Sequence, residues 1–141
     1  MSNESWQQAK LLNAYYRQVG LAAVGRGSCP RFATFAAGYD PELEGPAGSD
    51  GSQKVRDISM SLSAVKNIFY RGEVTSSFSD DTALCMCEIP KGSVSKPTKF
   101  NVIGVFDESG TLVAAAATLT DWLTPTELDR SYLSVTVPME V

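Results

Sequence analysis

Histidine is absent from all 141 residues. The absence excludes imidazole general bases, His metal ligands and Ser-His-Asp chemistry, and with them much of the usual hydrolase and metalloenzyme repertoire. Long hydrophobic runs are missing too. The most apolar stretch, Val113 to Thr120, falls far short of the roughly 20 residues a membrane-spanning helix needs. The first ten residues, Met1 to Lys10, are polar and carry Glu4, so they lack the basic and apolar regions of a signal peptide. Cysteine is scarce: Cys29, Cys85 and Cys87 are the only three, an odd number that favours reduced thiols and synthesis in the cytoplasm over a secreted disulfide framework. Excess positive charge is lacking as well. Twelve Lys and Arg stand against 16 Asp and Glu, a net charge of -4, so no broad positive field exists to attract nucleic acid or an anionic membrane.

What is present suffices for one folded domain covering residues 1–141. The chain is 43% hydrophobic, enough apolar material for a core without disulfides or metals. Ser5 and Gln8 fit a capping box, and Leu12, Tyr15 or Tyr16, Val19 and Ala23 recur at helical spacing, which predicts a helix from about Trp6 to Val24. Gly20 is a point where it could divide, and Gly25 and Gly27 followed by Pro30 end it. Ser52 to Phe69 is ambiguous. Val55, Ile58, Leu62, Val65 and Phe69 keep a helical stripe, while Ile58, Met60, Leu62 and Ala64 alternate with serines as a strand does; the reading preferred is a helix to about Asn67.

Arg31 to Ala37 is aromatic and apolar and reads as a strand. Tyr39 to Gln53, rich in proline and glycine and charged only at Asp40, Glu42, Glu44 and Asp50, reads as an exposed acidic loop. Phe69 to Phe78 and Thr82 to Ile89 form a hairpin through Ser79, Asp80 and Asp81. Phe100 to Phe106 and Thr111 to Thr118 form a second one, with Asp107 and Gly110 at the first and fourth positions of a type I turn. Thr124, Pro125 and Glu127 cap one helical turn over Pro125 to Asp129, before a last strand from Ser131 to Met139. The expected fold is α+β: an N-terminal helix and a second helical segment packed on a mainly antiparallel β-sheet of about five strands.

Few residues offer chemistry. Cys85 and Cys87 share a face on a strand, but a zinc site needs two more ligands and only Cys29 remains; alternating Ala83, Cys85, Cys87 and Ile89 fit a core-facing row, so both thiols are read as buried and structural. The spacing of the loop acids does not match a calcium-binding EF-hand. Asp80-Asp81 and Asp107-Glu108 are adjacent carboxylates at turns, where Asp caps backbone amides and charge is solvated. Lys91, Lys96 and Lys99 cluster without interleaved aromatics and read as a surface connection. No catalytic residue, metal ligand or cofactor-binding motif is assigned. The exposed aromatics carry more promise: Trp6, Tyr39 at the mouth of the acidic loop, and Trp122 beside Asp121 in a segment read as irregular. Tryptophan and tyrosine dominate binding hot spots but also form core edges, and for Trp122 the two readings weigh evenly. With Asp40 and Glu42 these are the candidate partner-binding residues.

The stretch Phe100-Asn-Val-Ile-Gly-Val-Phe-Asp-Glu-Ser-Gly-Thr-Leu-Val-Ala114 resembles the corresponding segment of phage tail-collar fibre proteins, a strand ending in Gly, apolar, aromatic and Asp, a turn closing on Gly, then a strand beginning with Leu. Val65-Lys-Asn-Ile-Phe-Tyr-Arg71, Gly20-Leu-Ala-Ala23 and Cys87-Glu-Ile-Pro90 are similar to further segments of that family, in the same order. The resemblance covers about Asn13 to the C-terminus. It departs at Val102, where the family often carries an acid, and at Gly38-Tyr-Asp40, which matches the family's glycine and aspartate loop only loosely.

In that family the similar domain attaches a fibre to the tail or baseplate, and members continue into a shaft and a receptor-binding tip, whereas this sequence ends at Val141. The resemblance therefore implies a non-enzymatic virion protein of a phage tail. It would be an adaptor or collar made in the host cytoplasm, present in several copies, and partnered by other tail, baseplate or fibre proteins. The alternative is a tail module that binds a host receptor or carbohydrate through Trp122, Tyr39 and nearby acids.

Overall fold

Two β-sheets share one core. The computed structural model describes residues 4–45, 54–79 and 82–136. The first sheet has the order β1-β11-β8-β7, from β1 (Glu4–Gln8), β7 (Thr75–Ser79), β8 (Thr82–Ile89) and β11 (Asp129–Thr136). The second has the order β2-β10-β9-β3-β6, from β2 (Lys10–Leu11), β3 (Phe32–Gly38), β6 (Tyr70–Glu73), β9 (Thr98–Asp107) and β10 (Leu112–Leu123). A ribbon of β4 (Glu44–Gly45) and β5 (Lys54–Val55) stands apart from both. All pairings are antiparallel except β1 with β11. With one helix, α1 (Asn13–Ala23), the protein is broadly α+β but mainly β, and the strands form two sheets where one was expected.

Alternation on β8 places Ala83, Cys85, Cys87 and Ile89 inward, as predicted. They meet Leu133 of β11 and, from the facing sheet, Phe35, Ala37, Ile103, Val105, Ala114 and Ala116. The second sheet is covered on its other face as well, where Ala36, Val102, Phe106, Leu112 and Ala115 pack on Leu12, Leu43, Ile58 and Val65. Being buried on both sides explains why β9 and the start of β10 read as continuous apolar runs instead of alternating.

Three predicted helical features are corrected. The N-terminal helix starts at Asn13, not near Trp6; Ser5 and Gln8 lie on β1, in register with Ser131 and Ser134. A capping box stabilises by only about 1 kcal/mol, and a strand ladder plus burial of Ala9 and Leu11 outweighs it. The end of the helix is as expected: Gly25 is left-handed at φ 74°, with its N–H donating to the Ala22 carbonyl (3.1 Å) and Arg26 N–H to the Leu21 carbonyl (2.8 Å), a Schellman motif. Gly20 lies within α1 without dividing it.

The second correction is that the described part of the predicted 52–67 helix, residues 54–67, holds β5 and irregular chain instead. Serine is the reason: Ser59 Oγ accepts from the Ser61 N–H at 3.2 Å and the Ser59 carbonyl from Leu62 N–H at 3.0 Å, local bonds that compete with a helix. Ile58 and Val65 still enter the core, with Leu62 packed against it, while Val55 and Met60 are exposed. Val65 sits against Gly38 and Gly104, where an added Cβ would come within 3.0 Å of Val65 Cγ1 and 2.4 Å of Val65 Cγ2 respectively. The third is Pro125 to Asp129, where Pro125 and Thr126 form a turn and Asp129 already begins β11, although Glu127 Oε1 does accept from Thr124 Oγ1 (2.8 Å) and Thr124 N–H (3.1 Å).

Both hairpins are present. The first is shorter than expected, β7 with β8, because Tyr70–Glu73 joins the other sheet as β6 beside β3; Asp80 and Asp81 lie outside the described residues. In the second, Gly110 N–H donates to the Asp107 carbonyl at 3.0 Å.

Candidate binding site

The end of β3 delivers Tyr39 and Asp40 to one end of the second sheet, and two asparagines fix their backbone. Tyr39 N–H donates to the Lys66 carbonyl at 3.1 Å, and its carbonyl accepts from Asn67 Nδ2 at 2.8 Å. Asn67 is left-handed at φ 51°, a conformation asparagine tolerates better than most residues. Asn101 of β9, 1% exposed, accepts the Asp40 N–H at 2.8 Å and donates to the Asp40 carbonyl at 2.8 Å. It pairs with the chain as a backbone strand would.

Asp40 is buried, so the opening of the acidic loop is not the solvated segment its composition predicts. Its carboxylate caps a single 3-10 turn, Pro41–Leu43, by accepting the Glu42 N–H at 2.9 Å, and Leu43 is buried with it. Lys66 Nζ stands 3.0 Å from Glu42 Oε2 and 3.9 Å from Asp40 Oδ1; the bond to Glu42 is the main cause of a raised Lys66 pKa. Glu42 is exposed. The loop residues 46–53 lie outside the described residues.

Beside this anchor, Lys99 Nζ lies 5.2 Å from the Tyr39 ring centroid and 5.6 Å from that of Trp122, within cation–π range of both. Trp122 is 51% exposed and belongs to β10, directly opposite Lys99 of β9, not to an irregular segment. Glu44 closes the cluster. It accepts from the Tyr39 hydroxyl through Oε1 and from Thr120 Oγ1 through Oε2 at 3.1 Å. The Tyr39 bond holds the Glu44 carboxyl below its ordinary pKa, helped by Thr120 and Lys99, and the same bond raises the Tyr39 phenol.

Of the predicted residues, Tyr39, Glu42 and Trp122 thus gather at one end of the sheet with Asp40 buried beside them, and Trp6 stands apart. Tyr39 and Trp122 converge on Lys99, and Asp40 and Glu42 on Lys66, one residue along the chain. Trp6 lies on β1 of the other sheet, opposite Tyr132; its side chain lies outside the described part. Sequence reasoning missed Lys66, Lys99 and Asn101. No aromatic lies between Lys91 and Lys99 in the sequence, and the neighbouring Phe100 is buried, yet the fold supplies two rings to Lys99, from β10 and from the residue after β3. Asn67 left a sequence trace, as the asparagine of the Val65–Arg71 segment.

Of the other chemical candidates, Cys85, Cys87 and Asp107 are buried. Burial pushes the Cys85 thiol up to about 11 and raises that of Cys87 further, while Cys29 is exposed. Asp107 is 5% exposed, less solvated than a turn position suggests. Burial works to raise its pKa, but hydrogen bonds from Ser109, Thr111 and Gly110 prevail and lower it. Among the described residues no cluster of three or more Cys, Asp or Glu is placed to hold a metal ion, and no helix is long and apolar enough to cross a membrane. No family model matches the chain, and neither a curated protein nor a solved structure matches it.

Proposed function

We propose that the protein is a structural docking module of a phage tail, an adaptor or collar that attaches fibres to the tail or baseplate through protein–protein interfaces and without catalysis. It acts in the virion, in several copies. The observation that carries this reading is the Tyr39–Lys99–Trp122 stack at the root of the acidic loop, a half-exposed aromatic and charged patch on a backbone clamped by Asn67 and Asn101. Exposed aromatics on a rigid base lose little conformational entropy on binding and make effective hot spots. Supporting it, the segments that resemble tail-collar fibre proteins coincide with working parts of the fold: Val65–Arg71 seats Val65 and leads into β6, and Phe100–Ala114 spans the β9–β10 turn.

The test is incorporation of the chain into purified phage particles, measured by mass spectrometry. Trp122→Ala with Tyr39→Ala is expected to reduce incorporation while leaving the circular dichroism spectrum unchanged. Incorporation equal to wild type overturns the reading. A loop deletion belongs at residues 46–52, because removing Asp40 and Leu43 as well would strip buried anchors and confuse docking with unfolding.

The same stack supports a second reading, a host-surface carbohydrate module, because sugar rings stack on exposed indole faces and Lys99, Asp121 and Thr120 stand nearby to hydrogen-bond hydroxyls. Binding of the purified protein to host cells or glycans, abolished by Trp122→Ala, would favour this reading over the first.

A further inference from the structure

Sheet edges invite pairing with other chains, and proteins blunt them with charges, prolines or bulges. Among the described residues, the edge strands β1, β2 and β6 hold Glu4, Lys10, and Arg71 with Glu73. The edge strand β7, Thr-Ser-Ser-Phe-Ser, holds no charge and no proline, pairs with β8 in an unbroken register, and is exposed at all five residues. Of the four edge strands it is the one with neither charge nor proline of its own.

The face of β7 is as unusual as its edge. Ser76 stands opposite Cys85 and Phe78 opposite Ala83, so both point to the side on which β8 buries its core row. Phe78 is nevertheless 59% exposed. It borders a cleft of about 410 Å³ that Pro30, Arg31, Phe32, Ser76, Ser77 and Ala83 also line, with Arg31 its one charged residue. One short strand therefore carries an aromatic knob and, two residues away, a small side chain over open space.

We propose that β7 pairs antiparallel with β7 of a second copy of this chain, about a two-fold axis through Ser77, joining two four-stranded sheets into one of eight strands. In that register Ser76 of one copy faces Phe78 of the other, twice, so each phenylalanine covers the cleft beside its neighbour's Ser76. A two-fold axis brings like residues together, and an uncharged strand avoids the self-repulsion that would otherwise oppose the contact. The backbone ladder supplies affinity and the Phe78–Ser76 fit supplies register. The inference names a partner for one edge and is independent of the docking reading.

Analytical ultracentrifugation across a concentration series tests it, with the full chain. Wild type is expected to shift from monomer to dimer as concentration rises. Ser77→Lys sets two ammonium groups against each other on the axis and is expected to weaken dimerisation at least about tenfold, with thermal melting unchanged. Ser77→Glu should do the same, and an equimolar mixture of the two variants should restore the dimer. Phe78→Ser should weaken it as well. A wild type that stays monomeric throughout, a dimer indifferent to both Ser77 variants, or a mixture that fails to dimerise would each overturn the proposal. None of these outcomes alters the particle-incorporation assay, so the two readings fail separately.

Discussion

Asn101 shows how much a single buried polar side chain can decide. Its amide satisfies both the N–H and the carbonyl of Asp40 inside the protein, so Asn101→Ala leaves two buried backbone groups without that partner, each costing about 1–3 kcal/mol. The expected result is a lower denaturant midpoint with an unchanged slope; a midpoint within error of wild type would show that water replaces the amide without loss. Glu44 offers a pH test of the neighbouring cluster. Its folded carboxyl titrates below its ordinary value, chiefly through the Tyr39 hydroxyl, so whatever stability this adds is present above the ordinary carboxylate range and is lost as pH falls through the lowered value. Tyr39→Phe should move the Glu44 titration back upward in an NMR pH series, and an unmoved titration would refute the assignment. Neither role is visible in the residue types themselves, since asparagine and glutamate are ordinary loop residues until the fold places them.

At the scale of elements, local chemistry was readable where one short-range signal faced no competitor. The Gly25 exit of α1, the Asp107–Gly110 turn and the alternating inward row of β8 all follow from residues a few positions apart. The segment 54–69 was not readable as conformation, because its serines bond locally, and of the apolar positions in its two competing stripes only Ile58 and Val65 are fully buried. Val65 depends on the missing side chain at Gly104. Gly104→Ala would force a Cβ to 2.4 Å from Val65 Cγ2 and 2.6 Å from Leu112 Cδ1, an overpacking expected to cost about 1–3 kcal/mol. Adding Val65→Ala should recover part of that loss, a coupling that a double-mutant cycle of chemical denaturation would measure; strictly additive costs would mean that the two sites do not compete for space.

On the scale of the whole molecule, the parallel pairing of β1 with β11 ties the beginning of the described chain to its end and covers one side of β11. Deleting residues 1–8 should lower the melting temperature and promote aggregation through the bared β11 edge; a melting temperature equal to wild type would mean that β1 adds nothing. By itself the sequence determined the apolar strands, the two hairpins, the helix exit and the burial of Cys85 and Cys87, because each rests on periodicity or on turn geometry within a few residues. It also singled out Tyr39, Asp40, Glu42 and Trp122. Only the tertiary structure decided that the strands divide into two sheets, that Asp40 is buried, and that Lys99 joins Tyr39 to Trp122. An unbroken hairpin register from Leu112 and Phe106 would set Leu119 opposite Lys99; irregularities between Leu112 and Ala114 and between Ala117 and Asp121 advance β10 by three residues and bring Trp122 there instead. Such shifts come from packing against both faces of a sheet, which involves residues far apart in the chain and leaves no mark in the local pattern.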